Sequence, residues 1–260
     1  MDKDLLCVKQ LLDEQYRKYC CSSFIDDDPI QVPHLFSSQQ NREIAGFFAA
    51  TFAWGQRKTI IAKSKELIAR MDSNPADFVI NYSESDLRVL KGFRHRTFSE
   101  NDAVGFVRGL ASIYRYYSSM DEYLVSRGGT TPLVALRLLR SHFESESGVL
   151  PTTLRHIANV DAGSAAKRLN MFFRWMVRSD QEGVDFGLWK CIQPKYLLIP
   201  LDLHVGNVSR DLGILKRRQN DLKAVLELTE VLKQFDASDP VKYDFALFSL
   251  GVNRNTDWTD

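Results

Sequence analysis

The sequence predicts an all-α fold, and three observations carry that prediction. Apolar residues recur at helical spacing along most of the chain, as in Ala103, Phe106, Val107, Leu110, Ile113, Tyr114 and Tyr117. No stretch sustains the alternation of a strand; residues 77–81, Asp-Phe-Val-Ile-Asn, come nearest and are too few. Pro75, Pro132, Pro151 and Pro240 each stand near a proposed helix start, where a missing N–H leaves no hydrogen bond unmade.

Taken in order, the periodicity predicts helices over 4–20, 41–54 and 57–71, then 99–118 and 132–145. It continues over 164–178, 221–235 and 238–250. Ser99 followed by Asp102 has the form of a capping pair opening the 99–118 helix. Leu222, Val225, Leu226, Thr229, Leu232 and Phe235 form one stripe on the 221–235 helix. The intervening segments 26–40, 127–131, 145–152 and 179–195 read as loops. There is no internal repeat and no low-complexity tract.

The chain has 260 residues, of which 44% are hydrophobic and 26% charged, enough for a full core and too apolar for wholesale disorder. No apolar run approaches the roughly 18–20 residues of a membrane span, and the N-terminus lacks a signal-peptide core. A soluble, cytoplasmic protein that needs no membrane is therefore expected. Cys7, Cys20, Cys21 and Cys191 are scattered, with no C-x-x-C pair. That scatter argues against zinc or an iron–sulfur cluster and for reduced, structural cysteines, so no metal and no cofactor is expected.

The net charge of +1 conceals an uneven pattern. The first 28 residues carry seven acids against four bases. Residues 88–96 hold Arg88, Lys91, Arg94 and Arg96 with no acid, and residues 165–178 hold Lys167, Arg168, Arg174 and Arg178 with none. Arg57, Lys58, Lys63, Lys65 and Arg70 stand against a single acid, Glu66. Lys216, Arg217 and Arg218 add a basic triplet. Basic stretches in a nearly neutral chain suggest one positive face, although any single one reads more readily as a solvated helix face, because charged stripes are common.

The segment Ile199-Pro200-Leu201-Asp202-Leu203-His204-Val205-Gly206-Asn207-Val208-Ser209-Arg210-Asp211-Leu212-Gly213 is the most informative. Asp202 precedes a short helix ending at Gly213, so its carboxylate can cap that helix and be held ionised by the helix dipole. Plain capping explains an Asp there without any chemistry.

That segment resembles the hydrophobic-D-T-H-V-x-R-V-x-R-x-L-G stretch of the helix-hairpin-helix DNA glycosylase superfamily, the endonuclease III and 8-oxoguanine glycosylase group. The resemblance makes Asp202 the catalytic carboxylate, with His204, Val205, Val208, Arg210, Leu212 and Gly213 filling the pattern. Leu203 stands where the family has Thr, and Gly206-Asn207 where it has x-Arg. Glu43–Lys58 resembles the apolar helix whose polar turn, here Gln56, Arg57 and Lys58, approaches DNA. Lys91–Tyr114, with Arg94 and Arg96, resembles the lead-in to the next long helix. Over about residues 40–255 the chain resembles the uncharacterised bacterial DUF2400-type branch.

The family's hairpin, L-P-G-V-G-x-K-T-A, corresponds to Ile157–Leu169, where only Gly163 survives as glycine. Aligned on that glycine, Ala165 takes the position of the nucleophilic lysine and Lys167 is displaced by two residues. Aligned instead as in the archaeal 8-oxoguanine glycosylases, whose hairpin is also irregular, Lys167 is the nucleophile. The resemblance implies phosphate binding by backbone amides around Gly163 and Ser164, with Arg168 and His204 also facing DNA. It implies a plug and a base sandwich drawn from Trp54, Gln56, Phe93, Trp175 and Trp189, although each of the large side chains is equally at home in a core.

The implied architecture is two helical lobes, a six-helix lobe over 41–178 ending in a degenerate helix-hairpin-helix, and a second lobe from 1–40 plus 179–260. Lys167 and Asp202 would face each other across the cleft. Three functional readings stay open: a base-excision DNA glycosylase with abasic-site lyase activity acting on double-stranded DNA; a degenerate helix-hairpin-helix protein that only grips DNA or structured RNA; and a helical scaffold with no nucleic-acid role.

Overall fold

The computed structural model describes residues 3–179 and 181–256, with side chains through residue 252. Residues 1, 2, 180 and 257–260, which the sequence reading assigned to the second lobe, lie outside the described residues. The fold is all-α, as the periodicity predicts. The helices are α1 (Lys3–Tyr19), α2 (Ser23–Asp26), α3 (Gln31–His34), α4 (Gln39–Phe52), α5 (Arg57–Arg70) and α6 (Pro75–Asn81). A two-residue antiparallel pair, β1 (Arg94–His95) and β2 (Phe98–Ser99), leads into α7 (Glu100–Tyr114). Then come α8 (Met120–Ser126), α9 (Pro132–Ser145), α10 (Lys167–Val177), α11 (Leu203–Asp211), α12 (Leu222–Phe235) and α13 (Tyr243–Thr256).

Where helical spacing was long, the predicted and observed spans agree to within a turn, except that 99–118 stops at Tyr114, while 238–250 begins with a 3-10 turn, Pro240–Lys242, and runs on to Thr256. Ser99 and Asp102 cap α7 as predicted, the Asp102 carboxylate accepting the Ser99 amide at 2.8 Å. Three features differ from the sequence reading. Residues 77–81 lie in α6, started by Pro75 and tied down by the Ala76 amide donating to the Asn41 side chain at 2.8 Å. The 26–40 loop contains α3, and α8 follows α7 directly.

Two apolar cores organise these elements. The larger is centred on α4, whose residues from Glu43 to Phe52 are all buried, as expected of a helix apolar around its circumference. α10 lies against it so closely that a Cβ at Gly46 would come within 2.9 Å of Met176 Cε, so a larger residue there would have to push the end of that side chain aside. This core also takes Cys20, Ile30, Val32, Val184, Trp189 and Ile192, from segments outside 41–178. The smaller core gathers Leu12 of α1 with Leu198–Leu247, chiefly α11, α12 and α13. α10 meets the first core while α11 belongs to the second, so the start of each faces the other across the seam.

Glu43 ties the larger core together. Its buried carboxylate accepts from Gln39 (2.9 Å), Tyr114 Oη (2.6 Å), the Met120 amide (2.9 Å) and Trp189 Nε1 (2.7 Å). Burial pushes its pKa up, against these four donors that hold the charged form.

Candidate functional site: a lysine–aspartate cleft

Asp202 is the N-cap of α11. Its Oδ1 accepts the Val205 amide at 2.9 Å, satisfying one of the helix's orphan donors. Asn220 Nδ2 donates to the Asp202 carbonyl at 2.9 Å and fixes the backbone from behind. The other end of α11 closes on Gly213 (φ +72°), where Gly213 N donates to Arg210 O and Ile214 N to Ser209 O, both at 2.9 Å. With Oδ1 committed to the cap, Oδ2 faces Lys167 Nζ at 3.8 Å.

Lys167 is the first residue of α10, after Ala166 in a left-handed conformation (φ +49°). The chain reaches that position through a tight turn whose amides are engaged internally. Gly163 N donates to Val160 O at 3.0 Å, Ser164 N to Asn159 O at 3.1 Å, and Ala166 N to Ser164 Oγ at 3.2 Å. The Leu222 amide donates to Gly163 O at 2.9 Å, tying this turn to the start of α12. The amides of Gly163 and Ser164 thus have partners inside the turn. The donors that helix geometry leaves open are those of α10's first turn. Before the turn stands one 3-10 turn, Thr153–His156, in place of a full first helix. Ala165 packs against the smaller core, and Lys167 alone of the two hairpin positions lines the cleft.

The cleft holds about 500 Å³. Phe24, Trp54 and Phe248 line it, together with Met171 and Ile60. Arg57 stacks on Phe248 at 4.6 Å and Arg96 on Trp54 at 4.5 Å, so two of the predicted cations frame its aromatic wall. His204 lines it from α11. Gln56, as N-cap of α5, and Lys58 are exposed beside it, and Arg94 is exposed on β1. Arg168 reaches the cleft as well, but its guanidinium donates to Thr51 O at 2.6 Å and His156 O at 3.4 Å. It thereby caps the last carbonyls of α4, and burial pushes its pKa down.

Of the aromatic residues singled out from sequence, only Trp54 reaches the cleft. Phe93, Trp175 and Trp189 are core residues at 1%, 0% and 1% exposure, with the Trp189 indole held by Glu43. They are not available to sandwich a base.

The floor of the cleft is made of charged residues that no sequence pattern marks. Asp28, Arg174 and Asp244 line it, all buried. Arg174 donates to Asp244 through Nη1 and to Asp185 through Nε (3.3 Å). Asp28 Oδ1 accepts the Ile30 amide at 3.0 Å. Burial pushes the Asp244 carboxyl up to about 6, with the Asp202 charge adding to the shift and Arg174 and Lys167 opposing it. Among the described residues no group of His, Cys, Asp and Glu side chains is arranged to hold a metal ion, and Cys7, Cys20, Cys21 and Cys191 are joined in no disulfide.

An all-α protein with a lysine and a carboxylate apposed in a half-aromatic, half-charged cleft is the class that fold and site define. The chain belongs to the family described as "Protein of unknown function (DUF2400)", whose model matches residues 28–253. No curated protein and no solved structure matches it. No helix among the described residues is long and apolar enough to cross a membrane.

Proposed function

We propose that this chain is a DNA-repair enzyme of the helix-hairpin-helix glycosylase type. It would act in the cytoplasm as a base-excision N-glycosylase with abasic-site lyase activity on double-stranded DNA. The observation that carries the reading is the 3.8 Å approach of Lys167 Nζ to Asp202 Oδ2 inside the cleft, between residues 35 positions apart in sequence and on two different cores. An ordinary capping aspartate has no need of such a partner.

In this reading the target nucleotide leaves the stack and enters the cleft. Asp202, anchored as a helix cap, stabilises positive charge developing on the sugar as the C1′–N bond lengthens. The base departs with the bonding pair and takes up a proton given up by the Lys167 ammonium. Lys167, as the neutral amine, adds to C1′, and its surplus proton passes to Asp202. The C1′–O4′ bond then breaks with its electron pair going to O4′, which takes the proton from Asp202, and an iminium is left between Nζ and C1′. Trp54 offers a stacking face for the extruded base. Gln56, Arg57, Lys58, Arg94, Arg96 and His204 would meet the surrounding duplex, and Ser164 Oγ with the first-turn amides of α10 a phosphate.

The irregular hairpin, in which Gly163 alone survives as glycine and a 3-10 turn stands for the first helix, favours the second reading, a protein of this fold that binds DNA or structured RNA without cutting it. One experiment separates the two: incubation with duplexes carrying a panel of lesions and abasic sites, with borohydride present. The enzyme reading expects a covalent adduct with wild type and none with Lys167→Gln. Tight binding with no adduct and no excision across the panel would leave the binder.

A further inference from the structure

A second cavity of about 320 Å³ adjoins the cleft and shares Lys167 and Arg168 with it. Arg140, Arg155 and Ser164 also line it, and no carboxylate does. Arg140 approaches the 154–157 segment from α9, Nη1 donating to Leu154 O at 2.8 Å and also to Ile157 O. Arg168 approaches the same segment from α10 through His156 O. Neither arginine forms an ion pair among the described residues; their partners are neutral carbonyls, which orient a guanidinium without cancelling its charge. Arg155 is 3.5 Å from Asp102 and half exposed. His156 contributes no charge: it is buried, accepts from Arg155 Nε at 3.1 Å, and its pKa is pushed down to about 4.

Two half-buried arginines, oriented by carbonyls and paired with no carboxylate among the described residues, converge on one cavity, so an anion entering it meets two fixed positive charges. We propose that this cavity binds a phosphate monoester dianion, specifically the 5′-phosphate end of a DNA strand. The charge count matches, since a monoester carries about −1.5 to −2 near neutral pH. The biological role rests on the lyase reading above. When β-elimination follows the iminium, a C2′ proton is lost and a C2′–C3′ double bond forms. The C3′–O3′ bond breaks with its electron pair passing to the phosphate. The departing group changes from a diester monoanion to a 5′-phosphate dianion. Arginines fixed beside Lys167 stabilise the charge that appears only as that bond breaks.

The test compares nicked duplexes bearing a 5′-phosphate or a 5′-hydroxyl, by fluorescence anisotropy with the wild-type protein. Tighter binding of the phosphorylated end is expected, on the order of tenfold or more for one charge-assisted contact. Millimolar inorganic phosphate should erase that preference without weakening the hydroxyl duplex. The preference should disappear in Arg140→Gln. Equal affinity for the two ends in wild type overturns the proposal, as does a preference that survives in both Arg140→Gln and Arg168→Gln, or competition by phosphate against both duplexes alike. Borohydride trapping reads the lyase reading separately. A 5′-phosphate preference without an adduct upholds the anion site and removes the lyase; an adduct without the preference does the reverse.

Discussion

Replacing Asp202 with Asn removes a charge while keeping a helix cap, which makes it the sharpest probe of the cleft. Asn caps helices about as well as Asp, so the bond from the Val205 amide, worth about 1 kcal/mol, should persist with Asn Oδ1 as acceptor. What is lost is the attraction to Lys167. At 3.8 Å and an effective dielectric constant of about 20, the bare Coulomb energy is about 4 kcal/mol. Both side chains are about a quarter exposed (25% and 24%), and pairs with that much access to water contribute only about 1 kcal/mol net. The expected change in stability is therefore about 1 kcal/mol, a fall in Tm of about 2–4 °C for a chain of this size. Excision should respond quite differently. A preorganised charge aimed at a cationic transition state is worth about 3–4 kcal/mol, so single-turnover excision should slow on the order of 10²–10³-fold with duplex affinity little changed. The assay is single-turnover cleavage of whichever lesion substrate the wild type accepts, with thermal melts on the same samples. Asp202→Asn excising at the wild-type rate would refute a catalytic role. A fall in Tm beyond about 10 °C would show the carboxylate to be structural.

Arg94→Ala and Arg96→Ala should each lower the slope of log affinity against log salt by about one unit while leaving the melting temperature unchanged, and unchanged slopes would make these exposed cations a solvated face. Arg168→Ala should also destabilise the fold by about 1–3 kcal/mol, because it leaves the Thr51 carbonyl unpaired. His156, 5% exposed with a pKa of about 4, should govern part of the acid limb of stability. The unfolded chain takes up its proton at about 6.5 and the folded one near 4, so stability falls between those values, by about 3 kcal/mol in all. Denaturant titrations of His156→Gln should show that limb flattened, and a limb identical to wild type would refute the assignment. Glu43→Gln should cost about 3 kcal/mol or more in urea unfolding: either orientation of the amide turns an NH₂ toward two donors that now meet an acceptor. A neutral effect would show that the carboxyl is already protonated in the native protein.

Several features of this protein are properties of short stretches of chain and were legible without coordinates. Helical spacing placed α7, α9 and α12, and the Ser99–Asp102 pair marked where α7 begins, because hydrogen bonds from i to i+4 and caps depend on near neighbours alone. The Asp202 cap and the Gly213 stop are local in the same sense. The short elements were not legible: α6, α8 and the 94–99 strand pair are too brief for periodicity, and packing against α4 and α7 holds them. Nor could sequence separate Trp54, on the cleft, from Trp175 and Trp189, in the core, since an aromatic residue's hydrophobicity is the same whichever face it ends on. Arg168 looked like a surface cation in a basic run and instead turns inward to cap α4, 117 residues away. The cleft floor of Asp28, Arg174 and Asp244 was invisible for the same reason. These residues come from a loop, α10 and α13, and only the meeting of two cores brings them beneath Lys167 and Asp202. There burial, which no local pattern encodes, pushes the Asp244 carboxyl up.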